Sequence, residues 1–178
     1  MVAIGLAVLA TLAILGFSSL VPRPSGEHPG IAVGQSAPPI VGSTLDGASF
    51  DLASLKGRPV VVNFWGPSCV PCRDEFPLFK EKVAARAPSD LAIVGVLTDD
   101  GPDAARAFIA KYGATWPTVD DPSGAFKRAY RVVARPQTYF IDRSGVVRAI
   151  QVGQVDDAIF ERLYAKIAGA PTSGSSVP

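Results

Sequence analysis

The sequence predicts an α/β fold, a central mixed sheet flanked by helices, and three observations predict it. Two aliphatic runs, 59–64 (PVVVNF) and 91–97 (LAIVGVL), lack polar alternation, as strands buried on both faces require. After each of them the apolar spacing becomes that of a helix. The last third of the chain then reads strand, turn, strand, helix, with Asp142-Arg143-Ser144-Gly145 as the turn. Strands that alternate with helices and end in a hairpin and a helix pack as an α/β sandwich.

The elements follow in order. Residues 2–21 (VAIGLAVLATLAILGFSSLV) carry no charge. As a helix they would span roughly 30 Å, the hydrocarbon thickness of a bilayer, and they lack the polar stripe of a buried soluble helix. We assign 1–21 to a transmembrane signal-anchor, because no A-x-A-like cleavage site stands out near its end. A cleaved signal peptide and a secreted domain are the alternative. Residues 22–34 are rich in Pro, Gly and Ser and read as a flexible linker. A single domain spans 35–170, and 171–178 (PTSGSSVP) has the composition of a disordered tail. Within the domain, 59–64 is a central strand. Residues 70–86 form a helix with apolar positions at Phe76, Phe79 and Val83, and 91–97 is a second buried strand. Residues 103–112 form a helix with Pro102 in its first turn and Gly113 as its stop. Residues 138–141 and 146–152 are antiparallel strands, and 156–168 is the closing helix.

Composition narrows the function. Seventeen Lys and Arg against 16 Asp and Glu give a net charge of +1, which excludes the basic surface that tracks nucleic-acid phosphates. The two cysteines, Cys69 and Cys72, are too few for a disulfide scaffold. With His28 as the single histidine, the chain has too few Cys and His ligands for a four-ligand zinc site. Arg73 follows Cys72, so the C-x-x-C-H pattern of haem attachment is absent. By elimination the pair reads as a redox-active dithiol. Inert core cysteines and a zinc site shared between chains are the competing readings.

The spacing suits that chemistry. Cys69 follows a buried strand and begins a helix, where first-turn N–H groups and the helix dipole favour a thiolate, the form that attacks a disulfide sulfur. Cys72 lies one helical turn on and can resolve a mixed disulfide by intramolecular attack. Val70 adds no charge, and Pro71 stiffens the intervening pair.

The run Phe64-Trp65-Gly66-Pro67-Ser68-Cys69-Val70-Pro71-Cys72-Arg73-Asp74-Glu75-Phe76-Pro77 resembles the TlpA/ResA/CcmG-like family of membrane-anchored thioredoxins, whose pattern here is F-W-A-x-W-C-x-P-C-R-x-E-x-P. The resemblance includes 135–142 (RPQTYFID). It extends to Trp116-Pro117-Thr118 and Asp121-Pro122-Ser123-Gly124, which are similar to an insertion within the thioredoxin-like fold. It implies that Pro136 is a cis-proline facing the dithiol, beside backbone that pairs with an extended substrate. An ordinary trans proline before a strand is the plainer reading. Glu75 matches the family's acid three positions after the second cysteine. Either it relays protons to the dithiol and raises the thiol pKa values, or it is a first-turn carboxylate set against the helix dipole. Asn63 stands where ordinary thioredoxins have an acid beneath the dithiol, which leaves Glu75 as the local candidate if that role exists here. Trp65 packs beside the motif, as a core aromatic or as a wall of the substrate groove.

Three positions depart from the family's pattern. Ser68 replaces a tryptophan, Arg135 stands where a small or aliphatic residue is usual, and Gln137 replaces the glutamate of many cytochrome-maturation members. A cation at Arg135 would stabilise the Cys69 thiolate or select acidic substrates.

The resemblance implies an extracytoplasmic thiol–disulfide oxidoreductase that needs no cofactor. It would reduce protein disulfides such as that of apocytochrome c during haem attachment, and a membrane electron donor of the DsbD/CcdA type would reset it. The domain is placed outside the cytoplasm because a tethered dithiol has its work there; no basic residue precedes the apolar run to orient it. Oxidation of secreted thiols reverses the electron flow. A peroxide-reducing enzyme fits less well, because its P-x-x-x-[ST]-x-x-C pattern is missing before Cys69. A tethered binding module that uses the fold alone predicts activity without Cys69.

Overall fold

A computed structural model describes residues 31–87 and 90–169. The signal-anchor expected at 1–21 and the tail at 171–178 lie outside the described residues. Among those residues no helix is long and apolar enough to cross a membrane.

The strands are β1 (Val41–Ser43), β2 (Ser49–Asp51), β3 (Val60–Trp65), β4 (Ala92–Leu97), β5 (Thr118–Asp120), β6 (Gln137–Ile141) and β7 (Val147–Val152). The α-helices are α1 (Val70–Ala84), α2 (Pro102–Tyr112), α3 (Ala125–Ala129) and α4 (Asp157–Ala168), and a 3-10 turn spans Leu52–Leu55. β1 and β2 form a hairpin, and the other five strands form one sheet in the order β5-β4-β3-β6-β7. β3, β4 and β5 run parallel, while β6 and β7 are antiparallel to their neighbours. This is the mixed α/β sandwich that the sequence predicts.

β3 and β4 are buried at every residue, which explains their unbroken apolar runs. Their side chains alternate between two cores. Val61, Trp65, Ile93, Leu97 and Phe140 face Phe76 and Phe79 of α1, Phe108 of α2 and Phe160 of α4. Val60, Val62, Phe64, Val94, Val96 and Tyr139 face Tyr130, Ile40 and Phe50. α1 is also tied to α4 by charge. The buried Lys82 ammonium meets Asp157 and lies 2.8 Å from Glu161, and Arg86 reaches Glu161 at 2.7 Å.

The β1–β2 hairpin, β5 and α3 are not predicted by periodicity. β1 buries none of its residues and β2 only Phe50, so neither shows a repeat. They form through tertiary pairing: Thr44 bridges Val119, and Leu45 N–H donates to the Thr118 carbonyl at 2.8 Å. Packing also begins before the predicted boundary at residue 35. Ile31 lies against the second core, and Gly34 N–H donates to the Val147 carbonyl at 2.8 Å.

One row of the sheet departs from its aliphatic surroundings. The register aligns Thr118, Gly95, Asn63, Thr138 and Gln151 across all five strands. Gly95 is required by close approach, because a Cβ there would lie 2.7 Å from Thr118 Oγ1 and 2.8 Å from Trp65 Nε1. Gly95→Ala is expected to destabilise the domain by about 1–3 kcal/mol through overpacking. Urea unfolding measures this, and an unchanged midpoint would show that the row tolerates a methyl group.

Candidate active site

β3 delivers the chain to the turn Gly66-Pro67-Ser68, and α1 starts immediately beyond it. Cys69 caps this helix with extended backbone, and its Sγ accepts the Cys72 N–H at 3.3 Å. The two cysteines form a disulfide with their Cα atoms 5.3 Å apart. Cys72 is 1% exposed, whereas Cys69 is only half-buried. A substrate sulfur therefore has access to Cys69, while Cys72 is shielded. The first turn of α1 holds no acidic residue, so helix-terminal N–H groups act on Cys69 without a competing first-turn carboxylate.

Glu75 lies one turn beyond Cys72 on the buried face of α1 and is 1% exposed. It is not in the first turn, which rules out the helix-dipole reading. Its Oε1 accepts from Asn63 Nδ2 at 2.8 Å, and its Oε2 accepts from Val155 N–H at 2.9 Å. Asn63 Nδ2 also donates to Thr138 Oγ1 at 3.0 Å, within the polar row of the sheet. Burial pushes the Glu75 carboxyl up to about 8, against the pull of the Val155 and Asn63 hydrogen bonds. An acid with this affinity holds or releases a proton near neutrality.

The Arg135–Pro136 peptide bond is cis, and Pro136 is buried where β6 begins. Its carbonyl accepts from Gly153 N–H at 2.9 Å, which joins it to the end of β7. Gln137 faces away from α1. Its Oε1 accepts from Val133 N–H at 2.9 Å and its Nε2 donates to Tyr139, so it braces the loop that leads to Pro136.

Two sequence expectations change. Trp65 is 1% exposed between Phe76 and Phe108, with ring centroids at 5.3 and 5.4 Å, and so contributes no groove surface. Arg135 is not a lone cation, because its Nη1 pairs with Asp100 at 2.9 Å. Asp100, Val155 and the hydroxyl of Ser68 belong to the site, and the sequence reading did not include them. Asp100 lies in a loop, 35 residues from Arg135, where no periodicity links them. Among the described residues, no group of three or more His, Cys, Asp and Glu is placed to hold a metal ion.

The family model of the AhpC/TSA family matches residues 33–150. The chain belongs to that family. Among curated relatives it is 36% identical over 132 residues to the thioredoxin-like protein YneN of Bacillus subtilis, covering 72% of this chain and 76% of that one. It is 31% identical over 144 residues to the thiol-disulfide oxidoreductase ResA of the same organism, covering 81% of this chain and 80% of ResA. Among solved structures, a thiol:disulfide interchange protein of the thioredoxin family from Chlorobium tepidum superposes with a TM-score of 0.71 at 28% identity, covering 78% of this chain and 99% of that one. These relatives, the fold and the Cys69–Cys72 pair identify this family member as a thiol–disulfide oxidoreductase of the thioredoxin-like type.

Glu75 makes stability depend on pH. Its affinity in the fold exceeds the ordinary carboxyl value of 4.5, so the folded chain keeps a proton that the unfolded chain has lost. The associated stability is fully present below the unfolded value of 4.5 and is lost as pH rises through about 8. The loss is on the order of 5 kcal/mol. Urea unfolding of the oxidised protein across this window should show the decline, and Glu75→Gln should flatten it. A wild-type profile flat between these limits would mean that Glu75 titrates like an exposed carboxylate.

Proposed function

We propose that the protein is an extracytoplasmic reductant of protein disulfides, with Cys69 as the attacking sulfur and Cys72 as the resolving one. The asymmetric exposure of the pair at the start of α1 carries this reading. The Cys69 thiolate attacks a substrate disulfide; a mixed disulfide forms and one substrate thiolate leaves. Cys72 then gives up its proton and attacks Cys69 Sγ, the second substrate thiolate leaves, and the Cys69–Cys72 disulfide remains. Glu75, on the same buried face as Cys72, takes that proton in its ionised form, whose share grows as pH rises toward about 8. Pro136 and its neighbouring backbone align the substrate strand beside Cys69. Val70, Val133 and Val152 are exposed on the helix start, the loop before Pro136 and the strand end beside it, and they offer apolar contacts to a polypeptide.

Electrostatics supports the reducing direction. As pH rises through about 8 Glu75 ionises, and its charge on the buried face beside Cys72 disfavours thiolates, which favours the disulfide and makes the dithiol the better electron donor. We assign residues 1–21 as the membrane anchor, apocytochrome c as a candidate substrate, and a membrane donor of the DsbD/CcdA type as the source of electrons.

Cys72→Ser is expected to accumulate mixed disulfides through Cys69 in membranes, and Cys69→Ser is expected to accumulate none and to lose dithiol activity. Partner capture followed by identification tests both. Glu75→Gln is expected to slow resolution about tenfold or more and to remove the pH dependence near 8. Stopped-flow reduction of a model disulfide at several pH values measures this. Redox titration of the pair fixes the direction: a strongly oxidising potential would make the protein a thiol oxidant.

A further inference from the structure

Ser68, Asp100 and Arg135 come from three segments that meet only in the fold: the turn before Cys69, the loop after β4, and the residue before Pro136. Asp100 Oδ2 accepts from the Ser68 amide at 3.1 Å, the Ser68 hydroxyl at 2.7 Å and Arg135 Nη1 at 2.9 Å. Arg135 Nη1 also donates to the Thr98 carbonyl, and its Nη2 lies 3.5 Å from Ser68 Oγ. The side chains of Arg135 and Asp100 are only 19% and 14% exposed, so solvent screens this pair less than a surface one. Gly66 is part of the same unit. A Cβ there would overlap the Asp100 carboxylate and the Arg135 guanidinium, so their position against the turn requires glycine.

We propose that Asp100 is a positioning residue for Cys69: it holds the Arg135 guanidinium against the turn that carries Cys69 and cancels its charge there, so the attacking sulfur lies beside a neutral ion pair. The inference rests on Cys69 being the attacking sulfur. A lone guanidinium against the turn that carries Cys69 would favour the thiolate, and a lone carboxylate would disfavour it. Paired, they leave the helix terminus and Glu75 as the fields that act on the dithiol. Burial pushes the Asp100 carboxyl up, but Ser68 and Arg135 outweigh it and hold it below the usual carboxylate range, so the cancellation lasts through neutral pH. Other charged groups on the surrounding elements are Arg73, Asp74 and Glu75 on α1, Asp99 with its partner Lys127 at 2.6 Å, Arg131 before Pro136, and Asp156 at the start of α4. None of them changes in the variants that test the proposal.

The test measures alkylation of Cys69 by iodoacetamide against pH, in the reduced full chain carrying Cys72→Ser. Adding Asp100→Asn is expected to lower the midpoint by about 0.5–1 unit, and adding Arg135→Gln to raise it by a similar amount. The double variant should return to the parent value. A merely structural cluster would not give opposite signs and cancellation; shifts in the same direction, or no shift in either, would overturn the proposal. Circular dichroism checks folding, and Asp100→Ser and Arg135→Met carry the same expected signs if a first variant does not fold. Alkylation needs no disulfide substrate. Failure to trap partners therefore counts against the proposed function alone, and the alkylation midpoints decide the role of Asp100 alone.

Discussion

The Glu75 carboxyl is buried between two neutral donors, the Asn63 side chain and the Val155 amide. Through these bonds one side chain joins α1 to the centre of the sheet and to the loop that enters α4. Burying a carboxylate without a countercharge is costly, and the protein meets that cost by letting the group hold a proton up to about pH 8. Two members of the polar row, Asn63 and Thr138, hold this group from the sheet side. Asn63 Nδ2 donates one hydrogen to Glu75 and the other to Thr138, and the adjacent Gly95 leaves room for the Trp65 indole and the Thr118 side chain. Replace the row with the aliphatic residues found elsewhere on β3 and β4, and Glu75 would lose its donor from the sheet.

The two sulfurs face different electrostatic surroundings. Cys72 lies on the Glu75 side, buried, where proton transfer can be coupled to its attack. Cys69 lies on the Asp100–Arg135 side, half-buried, where opposite charges offset each other. The division matches the two steps of disulfide exchange, because the attacking sulfur needs access and the resolving sulfur needs a proton acceptor. The helix terminus acts on Cys69, whose Sγ accepts a first-turn N–H.

The central strands, α1, α2, α4 and the β6–β7 hairpin were legible because each buries enough consecutive side chains to show a period. The three-residue strands β1, β2 and β5 were not, since pairing with distant segments, rather than local pattern, forms them. The same divide runs through the site. Cys69 and Cys72 share one helical turn, and Glu75 follows at helical spacing, so local sequence connects all three. Asp100 meets Ser68 across 32 residues and Arg135 across 35, and Val155 meets Glu75 across 80. Such contacts leave no local signature, and Val155 contributes only a backbone amide, which every residue but proline carries.

Ser68 and Arg135 each differ from the residue usual at that position in the family's pattern, and in the sequence they look like separate departures. The fold makes them one unit with Asp100. Arg135 introduces a charge that must be met in a poorly exposed place, and Asp100 meets it. Ser68 supplies two donors to the same carboxylate oxygen, where an indole would supply no hydroxyl. Gly66 leaves the space that the carboxylate and guanidinium fill, where alanine would push both away. Restoring an aliphatic residue at 135 alone leaves Asp100 charged without its cation, and introducing alanine at 66 alone displaces an ion pair that Ser68 still holds. Residues sharing one hydrogen-bond network do not contribute additively. The departures are therefore coupled, and their common effect is to tie the turn before Cys69 to the residue before Pro136 without placing a net charge beside the attacking sulfur.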